Sequence, residues 1–328
     1  MTSSDYVIGE EAIGGGFTKF EHATVGVLYL LFCVVGVTTN FLTALTFYKD
    51  ARLLSNGKPW LHICLALANI GVVAPSPFPA SSSFSGRWLY GKTVCQVYAF
   101  EGMFVGMVAI GSVIGLCLER YYIANTLRSK SKETSGWFYG WTILLIVGNG
   151  FFWAVMPLLG WSSYDIEHTG TSCAINWKNP DESFISYMLT LMVFSFALPS
   201  AVAFFCLYST HAKPVDQSTP ASDGSGQGQA STSAQTTDQH LGPISEDQMQ
   251  SLCYVFLLLM LTGWGPFALL CLVTILEGSA GLSMLAGCIP PLTCKLMVSM
   301  YPLAYAIISP RFKQSFKALL GGTDKKQD

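Results

Sequence analysis

Seven apolar stretches, each long enough to cross a lipid bilayer, dominate this 328-residue sequence and leave little else from which to build a fold. A membrane-spanning helix needs about 20 mostly apolar residues, because hydrocarbon offers the backbone no hydrogen-bond partner and the segment must satisfy its own N–H and C=O groups. The stretches run approximately over 24–48, 60–80, 95–122, 137–159, 184–208, 250–276 and 285–308, separated by segments rich in charge, Gly, Pro or Ser. Charged residues make up 12% of the chain, about half the share of an average soluble domain. A water-soluble globule is therefore excluded, and the sequence predicts an all-α, seven-transmembrane helix bundle. Its expected parts are an outer segment over 1–23, the bundle over 24–308 and a tail over 309–328. Met1 to Phe20 lacks a basic-then-apolar pattern, so no cleavable signal is expected and the first span would do the targeting.

Orientation follows from the basic residues, which accumulate in short cytoplasmic loops. With the N-terminus outside or lumenal and the C-terminus cytoplasmic, 13 of the 18 Lys and Arg fall inside, 4 fall outside (Lys19, Arg87, Lys92 and Lys178), and one remains. That one is Lys295, in the middle of the seventh apolar stretch, where a charged lysine costs about 2.5–3.5 kcal/mol on insertion scales. The net charge of −2 and the lack of a basic patch with interleaved aromatics give no reason to expect nucleic acid as a partner.

Residues 211–248 are rich in Ser, Thr, Gln and Gly and read as a disordered cytoplasmic loop, either a plain linker or a docking and phosphorylation segment. Beyond the seventh stretch, SPRFKQSFKALLGG places Phe312 and Phe316 on one face with Arg311, Lys313 and Lys317 elsewhere, which predicts a short amphipathic cytoplasmic helix lying on the membrane surface. Pro75, Pro77 and Pro79 predict a kink near 73–79 in the second span, with an early helix end at Pro75 as the alternative. Most of the ten Cys lie within apolar stretches; Cys95 starts the third span on the outer side and Cys173 sits in the outer loop, an oxidising location, so these two are the expected disulfide, with two unpaired thiols as the alternative.

A buried lysine has a chemical use. An amine kept out of water is left free to attack an aldehyde and form an imine. If that imine is protonated it needs a nearby negative charge. Two acids are candidates, Glu167 in the outer loop held by Cys173 and Glu101 in the third stretch, and the residues alone leave both open against the bland readings of a loop acid and a helix-end acid. Trp264 precedes Gly265 and Pro266, a kink beside a bulky indole. Glu119, Arg120 and Tyr121 end the third span on the side where Glu246 opens the sixth, so an Arg120–Glu246 tie would hold that face closed, with a solvated surface pair as the alternative.

These residues resemble the opsins, within the rhodopsin-like family of G-protein-coupled receptors, over all seven spans. The resemblance rests first on Lys295, seven positions before Pro302, with Tyr305 completing the seventh-helix motif. Asn40, Cys95, Glu119-Arg120-Tyr121, Cys173 and Trp264-Gly265-Pro266-Phe267 match at family spacing. It implies a retinal cofactor, all-trans in the dark, attached to Lys295 as a Schiff base, with Glu167 as the counterion and Glu101 as the alternative. Tyr98 stands where vertebrate visual pigments put a Glu, which favours Glu167. Trp264, Phe267 and Tyr98 would line the pocket, and no metal is implied.

Residues 80–96, 156–177, 244–248 and 289–295 look like the retinochromes and the related retinal-pigment-epithelium photoisomerase opsins, which bind all-trans-retinal and convert it in light to the 11-cis form. The resemblance thus implies a photopigment in a plasma or intracellular photoreceptor membrane, acting as a light-driven retinal isomerase rather than a conventional enzyme. Its partners would be retinal, membrane lipid, and a heterotrimeric G protein or a retinal shuttle protein. The rival expectation is a light-activated receptor. Tyr301 replaces the usual Asn before Pro302, Asn69 the usual Asp and Val147 the usual Trp, whereas Arg120 and Ser309-Pro310-Arg311 keep the signalling pattern. A transporter using Lys295 as an intramembrane charge is a third class with little support, since no inverted repeat is evident.

Overall fold

The computed structural model describes residues 16–54, 58–127, 136–211, 242–280 and 282–321. Among these, seven helical spans carry the length and hydropathy needed to cross a membrane. The first is α1 (Lys19–Lys49). It starts before the expected position 24 because Thr18 and Glu21 form a reciprocal capping box that satisfies the first free N–H groups.

The second span is broken, as its prolines dictate. It comprises α2 (Trp60–Val73) and α3 (Pro77–Phe84), joined by a turn over 74–76. Pro75 and Pro77 have no N–H to give, so Ser76 N–H turns to the Val73 carbonyl at 3.1 Å instead of continuing the regular ladder. The segment kinks and resumes rather than ending at Pro75.

The third span, α4 (Gly91–Leu127), is the longest helix and runs through the middle of the bundle, touching the second, fourth, fifth and sixth spans. The fourth is α5 (Gly136–Val155). The fifth is α6 (Glu182–Leu191) and α7 (Leu198–His211), with one wider π turn over Met192–Ala197 between them. The sixth and seventh are α8 (Glu246–Glu277) and α9 (Met284–Ile308), which pack against each other along their lengths.

Between the fourth and fifth spans, β1 (Tyr164–Ile166) and β2 (Cys173–Ile175) form an antiparallel hairpin with Ile166 opposite Cys173. The Cys95–Cys173 disulfide fastens β2 to α4. Gly170, at φ +71°, takes the left-handed conformation that closes the hairpin turn.

The last helix, α10 (Pro310–Gly321), follows α9 directly. Phe312 is fully buried against Tyr305 and Phe47, and Asp50 at the end of α1 holds Arg311 at 2.6 Å, so the amphipathic helix is tied back to the bundle at its start.

The outer surface is studded with large apolar side chains such as Val34, Leu145, Phe205 and Ile307, all more than half exposed. In water such a belt would drive aggregation; in lipid it is the solvated face. The inside is knit by small residues and polar contacts, which is how helices associate where no hydrophobic force separates them from lipid. Asn40 donates to the Val298 carbonyl at 3.2 Å and accepts from Asn69 at 3.2 Å, linking spans one, two and seven. Gly36 lets Ser299 and Val73 approach α1 so closely that a Cβ there would lie 2.7 Å from the Ser299 hydroxyl oxygen.

The long polar segment departs from expectation at its far end. Residues 212–241 lie outside the described part, but 242–248 are built into the fold. Ile244 is buried, and Ser245 and Gln248 form the capping box that starts α8. The capping signal Ser-x-x-Gln outweighs the polar composition that extended the expected loop to 248.

Candidate functional site

One cavity in the half of the bundle that carries the disulfide gathers most of the chemistry-bearing residues. It is lined from α4 by Tyr98, Glu101 and Met107, from the hairpin by Glu167, from α8 by Trp264 and Phe267, and from α9 by Lys295. Its walls are otherwise apolar and sulfur-rich, with a few polar groups converging on one end, the usual composition of a small-molecule site.

Lys295 is 7% exposed. Its Nζ donates to the Val72 carbonyl at 2.7 Å, and the Tyr29 ring centroid lies 5.8 Å from it. The acceptor exists because of the break in the second span: Val72 C=O would ordinarily take the Ser76 N–H, which instead goes to Val73. The amine is thus held by a single neutral acceptor at the cavity wall, with no carboxylate among its described salt-bridge partners.

Glu167 follows β1 directly. Its N–H donates to the Ser172 carbonyl at 2.9 Å and its carbonyl accepts from Gly170 at 2.9 Å, so the turn and the disulfide fix its backbone above the cavity. Burial pushes its carboxyl up to about 7, a rise that Ser172, Lys295, Trp177 and Lys178 only partly oppose. A carboxyl of that kind is poised to ionise as soon as a positive charge is fixed nearby.

Tyr98 and Glu101 stand on the same helix facing the same space, so the structure brings both candidate acids to one cavity. Trp264 lies across α4 at Gly106, where an added Cβ would come within 2.4 Å of the indole edge; only glycine leaves room for the ring.

The other predicted group sits at the opposite end of the bundle. Arg120, 6% exposed, pairs with Glu119 at 3.0 Å and with Glu246 at 3.1 Å. The Tyr139 hydroxyl donates to the Glu119 carboxylate. Tyr121 points outward, partly exposed. Tyr305, beyond Pro302, is buried with its hydroxyl 2.5 Å from His62 Nδ1, and His62 stacks on Phe47. Sequence reasoning missed Tyr29, Val72, Tyr139 and His62. A polar residue inside an apolar stretch was the available signal for Tyr29, Tyr139 and His62; nothing in the sequence marks a backbone carbonyl.

Residues 25–305 match the model of the 7 transmembrane receptor (rhodopsin family). The chain belongs to that family, and within it to the opsins. It is 31% identical to a retinochrome of Todarodes pacificus, over 90% of this chain and 93% of the relative. It is also 28% identical to the visual pigment-like receptor peropsin of Mus musculus (95% and 88%) and to the RPE-retinal G protein-coupled receptor of Homo sapiens (90% and 90%). Squid rhodopsin shares the fold, with a TM-score of 0.78 at 18% identity over 94% of this chain and 87% of that one. This opsin therefore has the seven-span bundle expected of it, and its cavity lies among the spans.

Proposed function

We propose that this opsin is a retinal photoisomerase, taking all-trans-retinal on Lys295 and returning the 11-cis form in light. The observation that carries the proposal is the meeting of one amine, one buried carboxyl and an aromatic slot in a single cavity, in a chain similar to a retinochrome. The residues fit the ligand. An aldehyde needs an amine, which Lys295 supplies, and a polyene needs apolar and aromatic walls, which Met107, Tyr98, Trp264 and Phe267 supply.

When bound, retinal supplies the light absorption and the double bond that rotates; the residues do the rest. Lys295, steadied by Val72, would hold the aldehyde end. Glu167, which the hairpin keeps in place, would be the partner of the positive charge there, and Glu101 is the second acid of the pocket. Trp264, seated against Gly106, and Phe267 would close the sides of the cavity and so shape which bond of a bound polyene could turn.

The second reading is a light-activated receptor. It is favoured by the Arg120–Glu246 pair and by the retained Pro302 and Tyr305, the parts through which a change at Trp264 would reach a G protein. Against it stand Asn69 and Tyr301, whose contacts to Asn40 and to the Phe256 carbonyl replace the usual Asp and Asn. The proposed orientation puts the disulfide end outside or lumenal and the Arg120 end in the cytoplasm.

The test is direct. Purified protein is loaded with all-trans-retinal and illuminated, the isomers are extracted and separated, and nucleotide exchange on added G protein is followed in parallel. Mostly 11-cis product without exchange supports the isomerase; robust exchange with little 11-cis product selects the receptor.

A further inference from the structure

The short segment leading into α8 makes contacts that the retinal site does not use. Ile244 pairs with Leu54 as a parallel bridge, and its N–H donates to the Leu53 carbonyl at 3.0 Å. Both Ile244 (3% exposed) and Leu53 (1%) are buried, in an apolar cluster that includes Phe47, Leu61, Met249 and Phe312. Two residues further on, Glu246 takes Arg120. Residues 242–246 therefore reach from the start of the sixth span to the loop between the first and second, passing the Arg120 end of α4.

The same loop is held at its other end. Lys58 N–H donates to the Tyr139 hydroxyl at 3.0 Å, and that hydroxyl donates to Glu119, which pairs with Arg120. Both ends of the loop thus converge on Arg120, one through Tyr139 and Glu119, the other through Ile244 and Glu246. An exposed chain segment crossing the mouth of a bundle has no reason to bury an isoleucine unless the bundle offers it a seat, and here Leu53 and its neighbours do.

We propose that residues 242–246 are an intramolecular strap that holds the sixth span inward. Beside the Arg120–Glu246 tie already described, Ile244 docks on the loop between spans one and two as a separate apolar anchor, and the Arg120 face opens only when that anchor releases. The two anchors differ in kind. Glu246 is half exposed, so salt screens its pairing with Arg120, whereas the Ile244 contact is apolar and backbone hydrogen-bonded and salt leaves it intact. The apolar anchor is the one that keeps the strap down in high salt.

The experiment uses the full chain without retinal, so its outcome is independent of the isomerase reading. Nitroxides are placed at two exposed positions, through Tyr48→Cys on α1 and Ser251→Cys on α8, and their separation is measured by pulsed electron spin resonance in low and high salt. With native Ile244 a single short distance is expected in both. Ile244→Ser shifts the distribution to longer distances in high salt, where the Glu246 pairing is screened, and by less in low salt. Glu246→Gln leaves it short.

A second variant, Leu54→Cys with Ile244→Cys, is oxidised with copper phenanthroline, which removes two electrons and two protons from the thiol pair. The cross-link is expected to form and to fix the short distance. Unchanged distances in Ile244→Ser, or no cross-link in monodisperse protein that retains the Cys95–Cys173 bridge, overturn the proposal.

Discussion

The Lys295 amine donates to the Val72 carbonyl at 2.7 Å, an acceptor left vacant by the proline break in the second span. The two features look unrelated in sequence, 223 residues apart, yet one supplies the anchor for the other. With one N–H held at the wall, the Lys295 nitrogen is kept at a fixed place on the cavity's edge.

Replacing both Pro75 and Pro77 by Ala restores the missing donors, lets Ser76 N–H return to Val72, and sets the amine loose. Losing that placement is worth about one hydrogen bond, roughly 1.4 kcal/mol, or about tenfold in rate. Pigment formation after adding all-trans-retinal, followed by visible absorbance, should slow by about that factor; an unchanged rate would mean that the carbonyl plays no part.

Glu167 gives a pH signature in the protein without retinal. Its carboxyl rises from an ordinary 4.5 to about 7 because burial disfavours the charge. The folded state then holds a proton that the unfolded state releases, so this group's stabilising effect is full below 4.5 and is lost as pH climbs to about 7. The difference amounts to a few kcal/mol at most, at about 1.4 kcal/mol per unit. Glu167→Gln should flatten the fall in melting temperature over that window, and in the loaded protein it should move absorbance at neutral pH toward the near ultraviolet. Retention of both behaviours in the variant would pass the counterion role to Glu101.

Gly106→Ala pushes a methyl group into the Trp264 indole edge, which lies 2.4 Å from where that carbon would sit. Overpacking of this kind costs about 1–3 kcal/mol and displaces whichever side can move. The expected result is a lower thermal midpoint and a less selective isomer product, read by chromatography after illumination. A variant with native selectivity would show that the indole does not shape the rotation.

How much of this was legible beforehand follows from the kind of signal each feature leaves. The seven spans, the break at Pro75 and Pro77, and the positions of Asn40, Arg120 and Glu246 are written in hydropathy, proline and charge, which act locally and survive folding. The disulfide could be read because Cys95 starts a span and Cys173 lies in the neighbouring loop, while most other Cys sit inside apolar stretches. The Val72 acceptor, the Tyr139–Glu119 contact and the seat for Ile244 depend on backbone atoms or on side chains brought together from distant spans, and no single stretch of sequence carries them. The cap at Ser245 was visible as Ser-x-x-Gln, but the polar composition around it concealed it.

Removing the hairpin's tether tests the disulfide end of the site. Cys173→Ala frees β2 from α4 and with it the turn that carries Glu167. A disulfide closing a loop of this size typically contributes about 2–4 kcal/mol. The variant should melt lower and its pigment should bleach faster in hydroxylamine, since water and reagent gain access beside Glu167. Equal bleaching rates would place the barrier to access elsewhere.

The proposed point of attachment for retinal is the Lys295 amine. Loaded protein is reduced with borohydride, digested, and sequenced by mass spectrometry. A retinyl group on the peptide containing Lys295, absent after Lys295→Ala, is the predicted result. An unmodified Lys295 in protein that still carries retinal's visible absorbance would contradict it.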